Sequence, residues 1–176
     1  MDLSQPRLVE QIRSALGGDR FWDDLLCRLV SEGDYPYGLH LVVVVEPYLQ
    51  LLISGRKAFE SRFSRRLTPP YGIVSGGDVL LLKGSGGPIL GICQVEETWF
   101  YRVNQATCEE IRRRFSEGLC IQDEKSFWDK IRIRSFATLM RVSHVCALAP
   151  VSYPKHDRRP WVVLRSRSPQ LGLRLR

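Results

Sequence analysis

The hydrophobic positions change period several times along the chain. Over residues 6–32 they follow a helix. "PRLVEQIRSAL" sets Leu8, Ile12 and Leu16 at four-residue steps, and Pro6 suits a helix start. Gly17-Gly18 interrupts the pattern, and it resumes from Asp19 with Phe21, Trp22, Leu25, Leu26, Leu29 and Val30 along one broad stripe. Two amphipathic helices are predicted, packing on whatever follows. "EGDYPYG" then reads as a turn-rich linker.

Beyond the linker the pattern turns to strands. "LHLVVVV" is continuous and β-branched, as in a strand covered on both faces. Pro47 leads a short helix in "YLQLLISG", and Gly55 suits its end. "KAFESRF", "VLLLKG" and "ILGICQVEETWFYRV" follow as strands, the last two preceded by the glycine turns "SGGD" and "SGGP". Residues 105–118 and 123–134 read as helices, then "FATLMRVSHVCALAP" and "RPWVVL" as strands. About six strands that do not alternate regularly with helices argue against a doubly wound sheet. They predict an α+β domain: a small mixed, mostly antiparallel β-barrel, with N-terminal helices and a helical insertion. The expected division is a helical extension over 1–38 packing on the core, the barrel domain over 39–164 and a basic flexible tail over 165–176.

Composition adds a sign of charge. Of 176 residues, 44% are hydrophobic and 26% charged, as in an ordinary globular domain. Lys and Arg exceed Asp and Glu by 26 to 19, and a net charge of +7 favours polyanions such as RNA or DNA. The five cysteines contain no C-x-x-C pair, so neither a disulfide framework nor a zinc site is expected. No basic-then-apolar leader opens the sequence, and "LHLVVVV" is too short to span a bilayer. A cytoplasmic protein without membrane attachment, metal or cofactor is expected.

The candidate chemistry starts at "SGRKAFESRF". Strand alternation puts Phe59, Ser61 and Phe63 on one face, with Ala58, Glu60 and Arg62 on the other. Lys57 lies just after the helix stop, where the strand period does not fix its direction. Periodicity alone favours a solvated strand face with a surface pair; a charged cluster at a pocket mouth is the other reading. "RFSRRLTPPYG" adds Arg65 and Arg66 near Phe63 and Tyr71, a combination suited to phosphates and bases. "YPKHDRRPW" places Lys155, His156, Arg158 and Arg159 between two strands, where the loop can close over a cleft and hold a phosphate or carboxylate. Lys83 ends "VLLLK" and can reach the same mouth, with Trp99, Phe100 and Tyr101 as a stacking wall. Arg112–Arg114 point in different directions on a helix. His40, His144 and His156 lack the spacing of a metal set. No P-loop, dinucleotide fingerprint or Ser-His-Asp order is visible.

"EPYLQLLISGRKAFESR" resembles the hallmark of the ASCH domain family, in the PUA-like group of small β-barrels. Gly55, Lys57, Glu60 and Arg62 match the family's G-x-K-x-x-E-x-R pattern, and "SGGDVLLLKGSGGPILGICQV" resembles its G-D turn, strand, glycine loop and next strand. The resemblance is strongest over residues 40–100, looser over 136–164, and absent over 1–38 and 165–176. It implies a barrel with a cleft beside the short helix, lined or braced by Lys57, Glu60 and Arg62. It also implies RNA or a nucleotide-like ligand as partner. Some small members are hydrolases of acylated nucleosides; they resemble this chain at Lys57 but carry threonine at the position of Glu60.

The expected function is therefore an RNA-, nucleotide- or modified-nucleoside-binding module using Lys57, Glu60, Arg62, Arg65, Arg66, Lys83, Lys155, Arg158 and Arg159, with DNA as a possible substitute. One alternative is a hydrolase, either an amidohydrolase on acylated nucleosides or a ribonuclease. Lys57 would then act as base or nucleophile, and Glu60 in proton transfer or orientation. The other alternative is a protein-interaction domain docking a partner through the N-terminal helices.

Overall fold

A computed structural model describes residues 4–31, 36–121, 125–155 and 157–167. The elements run α1 (Ser4–Ala15), α2 (Arg20–Ser31), β1 (Leu39–Val44), α3 (Tyr48–Ile53), β2 (Phe59–Ser64), β3 (Val79–Gly84), β4 (Ile89–Arg102), α4 (Gln105–Phe115), α5 (Lys125–Arg132), β5 (Phe136–Val151) and β6 (Trp161–Arg165). The six strands form one sheet in the order β2-β5-β4-β3-β1-β6. Every neighbouring pair is antiparallel except β1 and β3, which run parallel with Leu39 opposite Val79. The sheet curls until its two edge strands approach each other. The Arg62 guanidinium of β2 lies 5.7 Å from the Trp161 ring of β6 although the two strands share no ladder. The barrel is thus open, closed at that seam by side chains.

Strand alternation sorts the core into layers. Val42, Val44, Leu80, Leu82, Cys93, Val95, Met140 and Val142 face inward and pack with Leu49 and Leu52 of α3. Leu39, Leu41, Val79 and Leu81 face outward, under α1 and α2. Ala137 and Leu139, together with Phe59, Phe63, Trp99 and Tyr101, face outward under α4 and α5. Asn104 caps α4 in a reciprocal box with Thr107, which sets where that covering helix begins.

The N-terminal helices are built into the domain. Leu8, Val9, Ile12 and Leu16 of the first helix and its turn, and Trp22, Leu25, Leu26 and Leu29 of the second, are all buried. The indole of Trp22 donates to the His144 carbonyl at 2.9 Å. Each buried side chain of this kind contributes about 1.5–3 kcal/mol. The apolar stripe packs on the sheet, and Phe21 and Val30 are its exposed apolar members. A chain lacking residues 1–31 is expected to be insoluble or molten, exposing Leu39, Leu41, Val79 and Leu81. A soluble truncated chain with a cooperative thermal transition would refute this.

Of the tail expected over 165–176, residues 168–176 lie outside the described residues. Arg165 ends β6, and Arg167 is anchored by bonds to the Gly76 carbonyl and Asp78. Among the described residues no helix is long and apolar enough to cross a membrane.

Candidate functional site

The site begins at the end of α3. Gly55 takes φ +72°, a left-handed conformation that glycine adopts without penalty, and its N–H donates to the Leu52 carbonyl. The chain then turns back, and the Lys57 N–H donates to the Leu51 carbonyl at 2.9 Å. That bond fixes where Lys57 enters the barrel. Its ammonium donates to the Phe59 carbonyl and, at 2.7 Å, to Glu60 Oε2. On the other side of the carboxylate, Arg62 Nε lies 2.9 Å from Glu60 Oε1, in ion contact but without hydrogen-bond alignment. Arg62 Nη2 donates to the Val43 carbonyl at 2.9 Å.

These charges do not form the solvated face that periodicity alone favoured. Lys57 and Glu60 are each only 4% exposed. The physical reason is that both faces of β2 are covered. Phe59 and Phe63 pack outward under α4 and α5, while Glu60 stands opposite Met140 and points into the barrel. Burial by itself would raise the Glu60 carboxyl, but the adjacent Lys57 and Arg62 outweigh it and hold the group below its ordinary value. Beneath them, burial and then Glu60 push the Cys93 thiol well up, so it is an inert core filler.

The cluster forms one wall of a cavity of about 1000 Å³. That is the upper end of the range for small-molecule pockets. Lys83 from β3 and the turn Ser85–Pro88 form a second wall, and the β5–β6 connection forms a third with Lys155, Asp157, Arg158 and Arg159. The Lys83 ammonium is held by the Gly84 and Gly87 carbonyls, and burial followed by the neighbouring Lys155 lowers its pKa. Asp157 is gripped by Lys155 and Arg159, which hold its carboxyl far below the ordinary range. Among the described residues the cavity is lined by six cations and two carboxylates. Each carboxylate is already bridged by two of the cations, Glu60 by Lys57 and Arg62, Asp157 by Lys155 and Arg159.

Seven of the nine candidate residues thus line one cleft. Arg65 and Arg66 do not: they are exposed on the loop after β2, outside the cavity. The proposed stacking wall is elsewhere too. Trp99 and Tyr101 pack outward with Phe115, and Phe100 meets Tyr71 on the surface. On β4 Trp99 and Tyr101 have the outward parity, while Phe100, of the other parity, lies beside Tyr71 and outside the cavity. Arg112 lies over Trp128, and Arg114 bonds Glu110 and Tyr101, both away from the cleft. His156 lies outside the described residues. Sequence reasoning missed Tyr48, Ser61 and Ser152 as lining residues, whereas Tyr153, which opens the basic loop, does line the cavity. Tyr48 was assigned only to helical spacing, although its ring stands 6.0 Å from the Lys57 ammonium.

A buried polar network lies behind the cleft. Trp161 Nε1 donates to His40 Nδ1 at 3.3 Å, which leaves His40 Nε2 to donate to Asp78, 3.2 Å away. Asp78 also accepts from the backbone of Gly38 and Ser75 and from Arg167. A side chain at position 38 would place its Cβ 2.7 Å from the His40 ring, so glycine is required there by space. Among the described residues no cluster of His, Cys, Asp or Glu suits a metal ion.

No protein-family model and no curated protein matches the chain. Solved structures do. The ASCH protein from Zymomonas mobilis is 13% identical over 73% of this chain and 88% of its own, with a TM-score of 0.56. A serine-to-alanine variant of the same protein gives 12% identity, coverage of 74% and 90%, and a TM-score of 0.58. At these identities the likeness concerns architecture alone. The fold of this chain is that of the ASCH structures, here an open barrel of six strands with helices packed on it.

Proposed function

We propose that the cleft binds single-stranded RNA or a nucleotide-like ligand through its phosphates. The observation that carries this reading is the charge balance. Among the described residues six cations surround one cavity with two carboxylates, and each carboxylate is already shared between two cations. The surplus calls for an anion, and concave, partly apolar walls favour one carrying flat rings over a bare ion. The ASCH-like fold supports the same reading, since ASCH domains are regarded as RNA-binding, PUA-like modules.

The hydrolase reading draws less support from the geometry. The Lys57 side chain is tied to the Phe59 carbonyl and to Glu60 Oε2 and is almost fully buried, a placement that favours a fixed cation of the wall over a base or nucleophile. Glu60 is held ionised by its two cations and is a poor general acid near neutrality. In this reading Glu60 acts as a brace that aims Lys57 and Arg62.

A fluorescein-labelled RNA oligonucleotide is expected to bind with a strong salt dependence. Neutralising about three phosphates gives a slope of log K against log salt near −2 for a single strand. Anisotropy titrations between about 50 and 200 mM salt read it directly. A DNA strand of the same sequence tests the preference for the 2′-hydroxyl. No binding at low salt, or binding indifferent to salt, would remove this function.

A further inference from the structure

The cleft is electrostatically lopsided. Around Glu60 the charges are nearly matched: two cations share one carboxylate. On the walls built by the end of β3 and by the β5–β6 connection, Lys83, Lys155, Arg158 and Arg159 are joined by one lining carboxylate among the described residues, Asp157, and Lys155 and Arg159 already hold it. Lys83 has no acidic partner; its ammonium rests on two backbone carbonyls of the glycine turn. Arg158 has no partner among the described residues. Lys83 is 6% exposed, and the Lys155 side chain is 9% exposed.

Two ammonium groups this deeply placed repel each other, and the repulsion is felt at Lys83. An arrangement of that kind is relieved by an anion seated between the two. The Ser85 hydroxyl, on the same turn and without a partner among the described residues, adds a neutral donor beside them.

We infer that these walls make a seat for a phosphate monoester, formed by Lys83, Lys155, Arg158 and the Ser85 turn. The inference rests on the nucleotide-binding reading of the cleft and assigns the phosphate to one end of it. A monoester near neutral pH carries close to two negative charges and offers three terminal oxygens. Those oxygens suit walls on which three cationic side chains line the same cavity, whereas an internal diester offers two oxygens and one charge. The base and sugar then extend toward Tyr48 and the Lys57–Glu60–Arg62 wall. The glycine turn is the floor of the seat: its carbonyls take two of the ammonium's three hydrogens and leave one for the ligand.

Isothermal titration of four probes tests the seat: cytidine, cytidine monophosphate, a dinucleoside monophosphate and inorganic phosphate. The monophosphate is expected to bind at least about tenfold more tightly than cytidine, from charged hydrogen bonds to the phosphate. The diester should fall between them. Lys83→Met should bring the affinity for the monophosphate down to within about twofold of that for cytidine measured on the same variant. Arg158→Ala, an exposed position where folding is not at stake, should reduce the preference severalfold and so serves if Lys83→Met is unstable. Equal affinity for cytidine and its monophosphate overturns the seat, as does a preference that survives both substitutions. If RNA still binds in a salt-dependent way in that case, only the seat fails. If RNA does not bind either, the nucleotide-binding reading falls with it.

Discussion

Replacing Glu60 by alanine is expected to destabilise the domain by about 3–5 kcal/mol, the cost of leaving buried charge uncompensated. Glu60 is the carboxylate between Lys57 and Arg62, inside the barrel and almost fully covered. Removing it leaves an ammonium and a guanidinium facing each other across a cavity the size of the lost side chain. For a domain of this length about 1 kcal/mol shifts the melting temperature by 2–4 °C, so a fall of roughly 10 °C is the readout. The double substitution Lys57→Met with Glu60→Leu should recover much of the loss, because removing both members of a buried pair is far cheaper than removing one. RNA binding should not recover with it. An alanine variant within about 0.5 kcal/mol of the parent would mean that the pair behaves as a surface contact.

Acid should unfold the domain through two carboxylates. Burial by itself would raise the Asp78 carboxyl; His40, the Gly38 N–H, Arg167 and the Ser75 N–H outweigh it and lower the group below its ordinary value. Glu60 is lowered by Lys57 and Arg62 against the same burial. For both, the folded pKa lies below the unfolded one, roughly 4. Their contribution is fully present above the unfolded value and is lost as pH falls through the folded value. Stability measured by urea titration should hold from pH 7 to about 5 and then drop steeply below about 4. Asp78→Ala strips an acceptor from two backbone N–H groups, a histidine and an arginine. It is expected to cost about 3 kcal/mol or more at pH 7 and to make the acid limb shallower. Identical acid limbs in parent and variant would show that Asp78 contributes nothing to the pH dependence.

The strands were legible because their signals are local. "VLLLKG" reads as a strand and is β3, residue for residue, and "FATLMRVSHVCALAP" misses the end of β5 by one. The parity of Phe59 and Phe63 against Glu60 and Arg62 was legible for the same reason. What lies on each side of that strand was not, since it depends on α4 and α5 arriving from some fifty residues downstream. The same limit explains Trp99–Tyr101. Their aromatic character is visible in sequence, but which side of β4 is inside depends on the direction in which the sheet curls. Arg65 and Arg66 sit one and two residues past the strand's end, where alternation no longer aims a side chain. Asp78 was visible only as a turn residue. Its role follows from the parallel pairing of β1 with β3, which brings His40 beside it, and no local pattern announces a parallel pair.

The seam between β2 and β6 has a consequence for how the protein is made. Arg62 emerges early, yet its guanidinium rests on the Trp161 ring and within reach of the Pro160 carbonyl, nearly a hundred residues later in the chain. On a ribosome the half-built sheet must wait with its charged pair unroofed until β6 is synthesised and slots beside β1. The cleft is therefore complete only once β6 is in place, and a nascent chain stalled before residue 160 has every charge of the central motif but no finished room to put them in.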